Sequence, residues 1–146
     1  MPIPAKFYEG ITTASAEATM DAAEELALHL PEDCTLALQG DLGAGKTTFV
    51  KGLARAWSIQ ETITSPTFNI YSIYQGQRQL IHVDLYRLSG PGDWKGLMLD
   101  EFLISPFCLA IEWPERLAQD LKSMDPLVML RLTHVESAHK IQVIPN

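Results

Sequence analysis

Apolar residues recur along this chain in two rhythms, and each rhythm predicts an element. Met20, Ala23, Ala27 and Leu30 fall at helical spacing behind Ser15, and Pro31 halts the pattern. A helix capped by Ser15 and running to His29 or Leu30 is expected. Residues 34–38 form a short continuous apolar run, the mark of a central strand buried on both faces. A second helix is expected from 46 to about 57, with Phe49, Val50, Leu53, Ala54 and Trp57 inward. Lys51 and Arg55, one turn apart, fall on its solvated outer face. After the stretch SPTF, alternation at Phe68, Ile70, Ser72 and Tyr74, a polar QGQRQ turn and the apolar run LIHVDLY predict an antiparallel hairpin. SGPGDWKG reads as loop, residues 97–103 as a short helix, and 108–111 as another buried strand. Pro114 can open a helix through Leu121, and residues 127–132 and 140–144 read as closing strands. Strands alternating with helices, together with hairpins, imply an α/β fold with a mixed central sheet and helices on both faces.

Composition sharpens this picture only in places. A chain of 146 residues suits one domain spanning 1–146, large enough for a proper core. Apolar residues are 47% and charged residues 20%, ordinary for a folded protein. No apolar run approaches the roughly 20 residues needed to cross a bilayer, and MPIPAKFYEG lacks the basic start and apolar stretch of a secretory signal. A cytoplasmic location is the expectation. Cys34 and Cys108 each begin a predicted strand without metal-ligand spacing, and read as buried, unreactive thiols. Net charge is −7 and the 11 basic residues are dispersed, so the chain alone should bind polyanions poorly. Any RNA involved would be held mainly by a partner.

The strand at 34–38 runs into GDLGAGKTT, residues 40–48. Gly40, Gly45, Lys46 and Thr47 fill every fixed position of G-x-x-x-x-G-K-[ST]. Glycines let the backbone turn its N–H groups around a phosphate at close range, and the following helix aims its positive dipole end at the same anion. The expected phosphate site comprises Gly43, Ala44, Gly45, Lys46, Thr47 and Thr48, with Lys46 reaching the β and γ phosphates and the Thr47 hydroxyl on Mg²⁺. The loop also fixes the fold class: P-loop NTPase-like, a three-layer sandwich.

A metal-bound triphosphate needs an acid at the end of a second buried strand. LIHVD ends at Asp84 and CLAIE ends at Glu112, and spacing does not rank them. One would hold Mg²⁺ and the other orient or deprotonate the attacking water, so Lys46, Asp84 and Glu112 are the catalytic candidates. Ser65, Pro66, Thr67 and Phe68 are candidates for a loop that senses the γ-phosphate; a plain connector is the alternative. Arg87 can neutralise charge or pair with an acid. His82 shares a strand face with Asp84 and reads as structural, and Trp113 as packing. His29, His134 and His139 carry no signal.

An Asn-Lys-x-Asp segment, the guanine signature, is absent, and the single Asp-x-x-Gly match, Asp93 to Gly96, does not end an apolar strand. ATP is therefore favoured over GTP. The chain has no Arg-rich lid segment and little length for an acceptor pocket. A minimal ATPase or switch remains, against two alternatives: a binding module gated by nucleotide occupancy, and a small-molecule kinase.

GDLGAGKTT, SPTF, HVDLYRL and IEWPERL, in that order, resemble the bacterial TsaE (YjeE) family. The likeness runs from about Ser15 to Leu117. It implies an Mg²⁺-dependent ATPase, slow alone, that supports threonylcarbamoyladenosine modification of tRNA beside the anticodon. It also implies two partners, the transferase subunit and its dimerising paralogue. On that resemblance Thr47 and Glu112 ligate Mg²⁺, Asp84 is a catalytic or second-shell acid, and Ser65, Pro66, Thr67 and Phe68 sense the nucleotide. The segment around Ser15 to Thr19 would lie near the adenine. The chain departs from the family at Met98, where a glycine is usual, and in its Gly- and Pro-rich SGPGDWKG loop.

Overall fold

A computed structural model describes residues 2–41, 43–66, 69–88 and 91–145, without the side chains of 91–93, 118 and 119. Among them, seven strands form one sheet in the order β1-β7-β6-β2-β5-β4-β3: β1 (Ile11–Thr13), β2 (Asp33–Gln39), β3 (Tyr71–Tyr74), β4 (Gln79–Asp84), β5 (Phe107–Glu112), β6 (Leu127–Val135) and β7 (Ala138–Ile144). The inner strands β6, β2, β5 and β4 run parallel. β3, β7 and β1 pair antiparallel at the margins. The expected mixed sheet with antiparallel hairpins is the sheet found.

One face of the sheet carries α1 (Ala5–Glu9), α2 (Ala16–Ala27) and α3 (Lys46–Ala56). The other carries α4 (Pro91–Gly96), a 3-10 turn at Leu99–Glu101, a second at Pro114–Leu117, and α5 (Ala118–Leu121). Because successive strand residues point to opposite faces, β2 serves both layers. Cys34, Leu36 and Leu38 face α2 and α3, and Ala37 is buried on the other side. Phe49, Val50 and Leu53 of α3 are fully buried, each worth about 1.5–3 kcal/mol by area.

Helix α2 is capped as its sequence predicts: Ser15 is extended and its hydroxyl oxygen accepts from Ala18 N at 3.0 Å. It stops at Ala27, short of the expected His29, because the N–H groups of 28–30 each bond a carbonyl three residues back and close tighter turns. Helices α2 and α3 meet closely at Gly52, where an added Cβ would stand 2.5 Å from Met20 O and 2.6 Å from Ala23 Cβ.

Four further expectations are corrected. Arg55 is not merely solvated: it contacts Glu17, Asp21 and Glu24 of α2 at 2.8, 2.7 and 2.9 Å. Hydrogen bonds to Glu17 and Glu24 hold its guanidinium above its ordinary pKa. The Gly- and Pro-rich segment is not all loop, since Pro91 opens α4, a position where its missing N–H costs nothing. The helix expected over 97–103 shrinks to Leu99–Glu101, preceded by Met98 in the left-handed region at φ 53°. Strand β3 starts only at Tyr71, because Ile70 has φ 70°; Phe68 lies outside the described residues. Two elements, α1 and β1, were not anticipated; Phe7 of α1 is fully buried.

Candidate functional site

The parallel strands β2, β5 and β4 deliver their carboxyl ends to one edge of the sheet, where ligands bind in open α/β folds. β2 leads through Gly40 into the glycine loop, and α3 begins at Lys46. Gly45, at φ 99°, is the residue before the helix, and L side chains rarely adopt that conformation. Gly40 is required for space, since a Cβ there would lie 2.6 Å from Leu132 O.

Alternation on the two neighbouring strands places the acids. Leu80, His82 and Asp84 share one face of β4, and Cys108, Ala110 and Glu112 share that face of β5, the side of α2 and α3. Asp84 is directly opposite Glu112 in the parallel register, and Leu38 is opposite Glu112 on the other side. The two acids that spacing could not rank therefore stand side by side, one strand apart, beside the loop.

They differ in environment. Glu112 is buried, at 4% exposure, and its Oε2 lies 2.5 Å from His82 Nε2, itself at 0%. Asp84 is half-buried, and its Oδ1 accepts from Tyr86 N at 2.9 Å. Lys46 is buried; its Nζ donates to Gly40 O at 2.6 Å and sits 4.0 Å from the centroid of the Trp113 ring. Burial pushes the Lys46 ammonium down from its ordinary pKa, while Glu112 and Asp84 pull it up. Trp113, at φ 61°, packs its ring against Tyr86 at 5.1 Å between centroids.

These groups line a cavity of about 440 Å³ that joins Gly43, Gly45, Lys46, Thr47 and Thr48 to Asp84, Glu112, Ser65, Arg87 and Trp113. Ala44 is buried behind the loop. Pro66 is buried too, and its carbonyl accepts from Ile70 N at 2.8 Å; Thr67 and Phe68 fall outside the described residues. A larger cavity, about 720 Å³, lies away from the loop between β6 and the Pro114–Leu121 segment, without Lys46 or either acid.

Sequence reasoning missed Tyr86 and His139, which line the loop cavity, and it read Trp113 as packing although the ring also faces Lys46. His139 was legible: period two runs from Val143 through Ile141 to His139 on β7, as it runs from Leu130 through Leu132 to His134 on β6. The segment around Ser15 to Thr19 begins α2 beside β1, where Thr13, paired with His139, bonds the Thr19 hydroxyl at 2.7 Å.

The family profile described as "Threonylcarbamoyl adenosine biosynthesis protein TsaE" matches residues 13–142. A protein of Treponema pallidum named "tRNA threonylcarbamoyladenosine biosynthesis protein TsaE" is 43% identical over 103 residues, covering 70% of this chain and 76% of its own. The like-named protein of Bacillus subtilis is 36% identical over 110 residues, 75% of this chain and 68% of its own. The crystal structure of YdiB from that bacterium superposes with a TM-score of 0.70 at 31% identity, covering 90% of this chain and 81% of YdiB. With a profile match spanning residues 13–142 and a relative of that name 43% identical over most of both chains, the chain belongs to the TsaE family.

Proposed function

We propose that the protein binds MgATP in the loop cavity and hydrolyses it in support of threonylcarbamoyladenosine formation on tRNA, the process for which its relatives are named. The observation that carries this reading is the alignment of Asp84 with Glu112 at the carboxyl ends of β4 and β5, beside a buried Lys46.

On this reading the main-chain N–H groups of residues 43–48 cradle the phosphates and Lys46 leaves Gly40 O to meet the β and γ oxygens. The Thr47 hydroxyl and Glu112 supply hard oxygen donors suited to Mg²⁺, which binds one or two protein groups and completes its shell with phosphates and water. Among the described residues no group of three or more His, Cys, Asp or Glu could hold a metal, as fits an ion that arrives with its nucleotide. The ion would offset charge on the phosphoryl oxygens. Asp84, the more open acid, accepts a proton from the attacking water or fixes its orientation. Ser65, exposed in the same cavity, sits where a loop through Pro66, Thr67 and Phe68 would register loss of the γ-phosphate.

In that role the chain acts with the transferase subunit and its dimerising paralogue in the cytoplasm, and tRNA is met mainly through them. The dispersed basic residues and net charge of −7 support this division. Among the described residues no helix is long and apolar enough to cross a membrane. Reconstituted modification tests the proposal. Repeated cycles are expected with ATP and not with a non-hydrolysable analogue, and Lys46→Ala or Glu112→Ala should abolish hydrolysis. Full multiple turnover on the analogue would overturn the ATPase role.

A further inference from the structure

Sheet order sets the direction in which a nucleotide would lie. β5 and β4, with Glu112 and Asp84, occupy one side of β2, and β6 and β7 occupy the other. The groups suited to the γ-phosphate and its ion thus crowd one flank of the loop. The sugar and base must leave over the opposite flank, past Gly45 and Thr48, toward the β6–β7 hairpin.

At that flank the inward stripe of the hairpin changes chemistry. Leu130, Leu132, Ile141 and Val143 are core. The next inward positions are His134 and His139, paired in register with ring centroids 4.5 Å apart. His139 Nδ1 lies 3.7 Å from the point where a Cβ on Gly45 would stand, and His134 Nε2 lies 3.6 Å from that point on Gly43. His139 shares the loop cavity with Gly45 and Thr48. Its Nδ1 is buried and has no hydrogen-bond partner among the described residues. Among the described residues no third His, Cys, Asp or Glu joins the two imidazoles in a group that could hold a metal.

We propose that His139, backed by His134, is the wall of the nucleoside subsite, its ring packing against the base. This rests on reading the loop as a nucleotide site. Every base offers a π-face, so such a wall adds affinity for the nucleoside without choosing adenine over guanine.

Calorimetry on the whole chain, with MgATP, MgGTP and magnesium tripolyphosphate as probes, tests it. His139→Ala should weaken both nucleotides by roughly tenfold, the loss of one stacking contact, and leave tripolyphosphate binding unchanged. Unchanged tripolyphosphate binding also shows that the loop is still folded. His139→Phe, which keeps a flat ring, should restore nucleotide affinity. Wild-type affinity for nucleotides in the alanine variant, an equal loss for tripolyphosphate, or a phenylalanine variant as weak as alanine would each overturn the proposal. Wild-type protein that bound neither nucleotide nor tripolyphosphate would overturn the parent reading of the loop, and this one with it.

Discussion

His82 Nε2 and Glu112 Oε2 lie 2.5 Å apart across neighbouring parallel strands, with the imidazole fully buried. Register produces the contact: His82 is opposite Ala110, so its side chain reaches diagonally to Glu112 on the same sheet face. A carboxylate at 4% exposure needs such a partner, because a buried charge without one is costly. His82→Leu should therefore lower unfolding free energy by about 2–3 kcal/mol, measured by urea denaturation. His82→Gln, which keeps a donor, should recover most of that loss. Equal stability of the leucine variant and wild type would show that the contact contributes nothing.

Met98 offers a test with the opposite sign. Its backbone is left-handed, at φ 53° and ψ 40°, and its side chain is 55% exposed, so strain is present with little packing in return. Left-handed backbone costs a side-chain-bearing residue about 1–2 kcal/mol, and glycine's extra unfolded-state freedom takes back about 0.4–1. Met98→Gly should stabilise the fold by up to about 1 kcal/mol in the same urea assay. A loss of stability would mean that the thioether packs more than its exposure implies.

Gly52 sets propensity against packing. Alanine in a helix interior is favoured over glycine by about 1 kcal/mol, yet the new Cβ would enter the backbone and side chain of α2 at 2.5 and 2.6 Å. Overpacking costs about 1–3 kcal/mol, so Gly52→Ala should be net destabilising. Increased stability would show that α2 can shift without penalty.

The cluster of Arg55 with Glu17, Asp21 and Glu24 is largely exposed, so its effect is screened by ions. Arg55→Ala should lower the melting temperature slightly at low salt, and the difference should shrink as salt is added. A difference that persisted in high salt would point to packing rather than charge.

What could be read from the sequence was whatever repeats at short range. The glycine loop has fixed spacing, the strands around it have continuous apolar runs, and the β3–β4 hairpin alternates around a polar turn. Both acids were found because each ends such a run. The His82 contact and the juxtaposition of Asp84 with Glu112 depend on how strands pair, which no single strand encodes. Arg55 was misjudged for the same reason, since its partners belong to another helix. Strand β1 has three residues, too few to show a period. The segment holding α4 was misjudged because its glycines argue for loop while Pro91, at the first helical position, permits the turn.

The proposed function depends on residues 43–48 gripping a triphosphate with their backbone. Calorimetric titration of MgATP into wild-type and Lys46→Ala protein, alone and with the modification partners present, addresses this most directly. One equivalent should bind to wild type, and the variant should bind at least about tenfold more weakly, the loss of one charge-assisted contact. No heat from wild type under either condition, or equal affinity in the two proteins, would contradict it.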